Sequence, residues 1–104
     1  MSTSSNETTV VNKRNHVANH DDVYIGRGSR WGNPYVIGKD GTRGAVITKY
    51  TILMHDRLTG PYGDEWKLHL RNLRGRTLVC YCAPKQCHGD VLIELMRYVD
   101  EQQI

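Results

Sequence analysis

All three cysteines of the chain fall within residues 80–87, as Cys80, Cys82 and Cys87, and His88, Gly89 and Asp90 follow directly. The residues leading in, 77–82, form a near-continuous apolar, β-prone run of the kind found in buried parallel strands. The residues leading out repeat apolar positions at helical spacing. The cluster is therefore expected on a strand-to-helix turn, where α/β proteins place ligand sites. In a strand, Cys80 and Cys82 share a face. Cys87 and His88 fall at the helix start, where unpaired N–H groups and the peptide dipoles favour a thiolate or a bound phosphate. Gly89 allows close backbone approach, and Asp90 complements the dipole.

Those residue types are compatible with three chemistries. Cys80, Cys82, Cys87 and His88 make up a Cys₃His set for zinc. The usual Cys-x-x-Cys knuckle is missing, however, and the adjacent Cys87 and His88 diverge unless the backbone bends between them. Cys82 or Cys87 is alternatively a nucleophile, with His88 as acid/base. In the third reading, backbone N–H groups and His88 bind an anion or a sugar hydroxyl while the thiols pack. The plain structural reading makes Cys80 and Cys82 small buried hydrophobes and His88 a helix-start residue. For Cys80, packing is the expected role.

A second motif, Tyr24-Ile25-Gly26-Arg27-Gly28-Ser29-Arg30-Trp31-Gly32-Asn33-Pro34, is too rich in Gly, Asn and Pro for regular structure. Arg27 and Arg30 suit bidentate contact with phosphate or carboxylate. Trp31 suits base stacking or the core, and Asn33 suits an amide, base edge or hydroxyl. The loop is neither a phosphate-binding Walker loop nor a dinucleotide fingerprint. Ser29 lacks an evident base partner, which argues against a serine hydrolase. Arg43, in the first turn of a helix, is unfavourably placed for the dipole and hints at a ligand.

Positioning these motifs requires few elements. At 104 residues the chain has room for one domain. Residues 1–9 are expected to be a disordered tail and residues 10–104 a single α/β domain. Short strands are expected at 10–14, 23–25 and 34–37, helices at 42–58 and 64–73, a strand at 77–82 and a helix at 88–102. The strand–loop–helix at the Cys/His turn would be Rossmann-like. Thr42 is the expected cap of the first helix, with Val46, Ile47, Tyr50, Met54 and Leu58 on its apolar face. Hydrophobic residues make up 38% of the chain with no Phe, so the core rests on Val, Ile, Leu, Met, Tyr and Trp. No apolar run is long enough to span a membrane or form a signal peptide, which points to the cytoplasm. A net charge of +3 suits a phosphate-bearing ligand but is too weak to argue for nucleic acid by itself. Domains of this size often form homodimers.

Residues 23–34 and the series Cys80-Tyr81-Cys82-Ala83-Pro84 with Cys87-His88-Gly89-Asp90-Val91-Leu92 resemble a family of small bacterial and phage proteins. That family is designated domain of unknown function 4326. The resemblance covers most of residues 10–96 and implies no established activity. It implies that Tyr24, Gly26, Arg27, Trp31, Gly32, Asn33, Pro34, Cys82, Pro84, Cys87, His88, Gly89 and Asp90 belong together. Tyr81 stands where Trp is expected, and Tyr35 where Phe is. The Cys82-to-His88 spacing also resembles the phosphate-cradling loop of rhodanese-like and tyrosine-phosphatase-like enzymes, with His replacing their Arg.

The resulting expectation is one site between two walls, binding a nucleotide or another phosphate- or ribose-bearing small molecule. Tyr24, Gly26, Arg27, Gly28, Ser29, Trp31, Gly32, Asn33, Pro84 and Gly89 are the candidate ligand-binding residues. Cys82, Cys87, His88 and Asp90 are the candidate catalytic residues. No cofactor is expected unless the thiols take zinc. The alternatives are a non-catalytic sponge for a nucleotide defence signal, which would act in the host cytoplasm if phage-encoded, and a zinc-stabilised interaction module.

Overall fold

The computed structural model describes residues 8–81 and 87–102. Strands β1 (Thr9–Asn12), β2 (Asp22–Tyr24) and β3 (Thr77–Cys80) and helices α1 (Arg43–Thr59), α2 (Gly63–Arg71) and α3 (His88–Asp100) make a small α/β domain. A single 3-10 turn, Lys13–Asn15, follows β1.

The sheet is parallel, with β3 in the centre in the order β1-β3-β2. Val10, Leu78 and Val23 lie in one register row, and Val11, Val79 and Tyr24 in the next. Alternation therefore puts Val10, Leu78 and Val23 on one face together with Cys80. Against that face, α1 contributes Tyr50, Met54 and Leu58, α2 contributes Leu70, and α3 contributes Leu92, Leu95, Met96 and Val99. The five buried residues of α1 are the apolar set that its helical spacing marks out. Thr42 caps α1, its hydroxyl accepting from the Ala45 N–H at 3.2 Å. Gly63 starts α2 where a Cβ would lie 2.3 Å from the Leu58 carbonyl oxygen, so only glycine permits this close approach of α2 to the end of α1.

Several expectations are revised: the strand expected at 10–14 is Thr9–Asn12, with Lys13 and Arg14 in the 3-10 turn, and the strand expected at 77–82 ends at Cys80. The expected tail, 1–9, overlaps the domain: Thr9 begins β1, and the Thr8 hydroxyl donates to the Leu73 carbonyl while accepting from the Gly75 N–H. The expected strand at 34–37 does not form. The Val36 N–H donates to the Asp40 carboxylate at 2.8 Å, and the Val36 carbonyl accepts from the Lys39 and Asp40 N–H groups. These groups are consumed within a turn that Gly38 and Gly41 complete at positive φ, and Pro34 offers no donor. The apolar run that suggests a strand is used as cavity wall. The loop of the expected Rossmann-like turn, with Cys82, Pro84 and Lys85, lies outside the described residues.

Candidate functional site

The parallel strands end on one edge of the sheet, and both motifs converge there. Ile25 follows β2 and still pairs with the centre, its N–H donating to the Val79 carbonyl at 3.0 Å. Residues 26–32 then make two consecutive turns, with the Ser29 N–H and hydroxyl both donating to the Gly26 carbonyl and the Gly32 N–H donating to that of Ser29. A Cβ on Gly32 would lie 2.7 Å from the Gly26 carbonyl oxygen, so glycine is what lets the loop fold back on itself.

Three side chains pin this loop to the rest of the domain. The buried Tyr50 hydroxyl donates to the Trp31 carbonyl at 2.7 Å. Asn33 donates to the Val46 carbonyl through Nδ2 and accepts from the Tyr35 N–H through Oδ1. His88 donates through Nε2 to the Ile25 carbonyl at 2.6 Å. Burial pushes the Tyr50 phenol well above its ordinary range, so it remains a neutral donor.

The second wall is the start of α3. Cys87 is its N-cap, in extended conformation (φ −137°, ψ 149°), and His88 is the first helical residue. The backbone thus bends between them, and the adjacent side chains converge: Cys87 Sγ lies 3.7 Å from His88 Nδ1. Because Nε2 is the donor to Ile25, Nδ1 of the neutral ring carries the lone pair that faces the thiol. The Gly89 N–H donates to the same sulfur at 3.4 Å, and Cys80 Sγ lies 3.1 Å from it. Asp90 completes a capping box by accepting from the Cys87 N–H at 3.3 Å.

Between the walls lies a cavity of about 450 Å³. Its buried side comprises Cys80, Cys87, His88, Val46 and Ile47, and its exposed rim carries Tyr24, Tyr81, Arg27 and Ile37. Gly26, Asn33, Tyr35, Val36 and Arg43 complete the lining. Gly28, Ser29, Gly32 and Pro34 share with Arg27 and Asn33 a shallower depression of about 250 Å³.

Of the residues singled out from sequence, the cavity brings together Tyr24, Gly26, Arg27, Asn33, Arg43, Cys80, Cys87 and His88. Trp31 belongs to the core instead, 4% exposed and edge-to-face with Trp66 at 5.5 Å. Gly89 approaches the sheet rather than the cavity, since a Cβ there would lie 2.9 Å from side-chain atoms of both Ile25 and Val10. Asp90 is spent on the helix cap and is exposed. Sequence reasoning did not assign Tyr35, Val36, Ile37, Val46 and Ile47 to the site. Their apolar character marks them for a strand or a helix face, and only packing shows that the same residues line a cavity. Among the described residues, no group of three or more His, Cys, Asp or Glu is placed to hold a metal ion; Cys82, the remaining member of the Cys₃His set, lies outside them.

A three-stranded parallel sheet with helices and a cavity at its carboxyl edge defines a small α/β domain with a ligand-sized pocket. The chain belongs to the family described as Domain of unknown function (DUF4326), whose model matches residues 9–98. It is 40% identical over 86 residues, 80% of this chain and 76% of the relative, to the "Uncharacterized 12.4 kDa protein in nrdA-td intergenic region" of Enterobacteria phage T4. No solved structure matches it. Among the described residues, no helix is long and apolar enough to cross a membrane.

Proposed function

We propose that the cavity binds a nucleotide or a closely similar phosphate- and ribose-bearing small molecule. The observation that carries this reading is the combination of Arg27 and Arg43 with Tyr24, Tyr35 and Tyr81 around a mainly apolar cavity. Guanidinium groups recognise phosphate in a bidentate manner, and tyrosine rings offer faces for a heterocycle. The cavity volume falls within the range of roughly 300–1,000 Å³ usual for small-ligand pockets. The +3 net charge favours an anionic ligand in the same direction.

One observation favours turnover as a second reading: Cys87 Sγ and His88 Nδ1 face each other at 3.7 Å within the cavity lining. Nucleophile and base in that relation suit attack on a bound ligand. Binding without turnover would make the protein a sponge, for example for a nucleotide signal of host defence.

Native mass spectrometry of the purified chain, followed by calorimetric titration with nucleoside mono-, di- and triphosphates and chromatography for products, tests the proposal. Binding of at least one nucleotide, weakened tenfold or more by Arg27→Ala, is the expected result. Product formation abolished by Cys87→Ser, with binding intact, would mark the enzyme. If no nucleotide binds, the proposal fails; a co-purified zinc ion would favour the interaction module instead.

A further inference from the structure

Cys80 ends the central strand, Cys87 caps α3, and their sulfurs lie 3.1 Å apart. Three features favour the thiolate of Cys87 over the thiol. His88 Nδ1, 3.7 Å away, is positioned to accept its proton. The Gly89 N–H donates to the sulfur. The sulfur also stands at a helix N-terminus, where the peptide dipoles stabilise negative charge. Each cysteine is 1% exposed, yet both line the cavity, whose rim is exposed to solvent.

We propose that Cys80 and Cys87 form an oxidisable dithiol that exchanges with low-molecular-weight disulfides and so closes into a reversible disulfide on the buried side of the cavity. The Cys87 thiolate attacks one sulfur of the disulfide R–S–S–R, forming a Cys87–S–S–R bond and expelling RS⁻, which takes the proton held on His88. Cys80, 3.1 Å from the Cys87 sulfur, then attacks that sulfur and expels the second RS⁻, which takes up the proton that Cys80 gives up. The protein loses two electrons and two protons, and the disulfide becomes two thiols. Excess thiol reverses both steps. The pair is a donor and acceptor of reducing equivalents whether or not the cavity takes a nucleotide. If the nucleotide reading holds, oxidation also removes the thiolate beside the ligand and makes binding redox-dependent.

The test uses the full chain carrying Cys82→Ser, so that only this pair can close. The protein is equilibrated across glutathione/glutathione-disulfide ratios, trapped with an alkylating reagent under denaturing conditions and weighed intact. The expected product has lost two hydrogens, takes no alkyl group and returns to two alkylatable thiols with excess glutathione. Adding Cys80→Ser should stop the reaction at one glutathione adduct on Cys87. Two alkylated thiols at every ratio would overturn the proposal, as would a glutathione adduct that persists while Cys80 is present. Protection of both thiols by a bound zinc ion, seen in the native mass, would overturn it too. Because no nucleotide enters the assay, its outcome is independent of the proposed function.

Discussion

Arg27 makes no hydrogen bond or ion pair with another described residue, although it lines both depressions at the carboxyl edge of the sheet. An exposed cation with no partner costs the fold nothing to retain and is available to a ligand. Arg27→Ala should therefore leave the thermal midpoint within about 1–2 °C of the parent while weakening nucleotide binding by a factor of about 10–100, the range expected for hydrogen bonds to a charged group. Tyr50 presents the opposite case. Its hydroxyl is buried and donates to the Trp31 carbonyl. Tyr50→Phe leaves that acceptor without its donor and should lower unfolding stability by about 1–3 kcal/mol in urea titrations. The effect on the site should follow indirectly, through loosening of residues 26–33. His88 unites both roles, since one ring nitrogen holds the Ile25 carbonyl and the other faces Cys87. Gln at this position can restore the donor to Ile25 without supplying a base, which separates folding from chemistry more cleanly than Ala.

The start of α3 shows how an element prepares a site. Cys87, Gly89 and Asp90 spend their polar groups on the cap, and this fixes where the Cys87 sulfur and the His88 ring point. Asp90→Ala should lower stability by about 0.5–2 kcal/mol, read as a shift in the urea midpoint at unchanged slope. An unshifted midpoint would remove Asp90 from the cap. The helices were legible in the sequence because periodicity reports burial directly, as Val46, Ile47, Tyr50, Met54 and Leu58 do for α1; the central strand was legible as a near-continuous apolar run at 77–82, of which Thr77–Cys80 forms β3. The segment 34–37 was misleading for the same reason. Tyr35, Val36 and Ile37 are apolar because they line a cavity, whereas Asp40 and the two glycines determine their backbone. Two sides of the cavity come from the segments that the two sequence motifs mark, residues 24–33 and Cys80 to His88. On its third side, Arg43 is marked by its unfavourable place in the first turn of α1, whereas Val46 and Ile47 reach the cavity through the packing of α1 beside the sheet edge, which no local pattern encodes. The convergence of Cys87 and His88 rests on the change from extended to helical backbone between two adjacent residues, a bend on which the sequence makes it conditional without deciding it.

Across the whole molecule, the helices and the inward face of the sheet share one core, and a polar clasp lies in the link between β1 and β2. His16 Nε2 lies 2.9 Å from the Asp22 carboxylate, whose other oxygen accepts from the Asn19 N–H at 2.9 Å. The Asn19 N–H, then His16 and the nearby Lys13, together outweigh the opposing effect of burial and hold the Asp22 carboxyl below its ordinary value of 3.8. A carboxyl lowered in the folded state contributes stability above its unfolded value and loses that contribution as pH falls through its folded value. Because Asp22 begins β2 and pairs with Thr77 of the central strand, protonation weakens the clasp at the edge of the sheet that leads to residues 26–33. Acidification from pH 5 toward pH 2 should therefore lower the thermal midpoint of the parent more than that of Asp22→Asn, and the two curves should converge at the acid end. Parallel curves throughout would show that the acid response comes from other carboxylates and that the clasp contributes nothing to it.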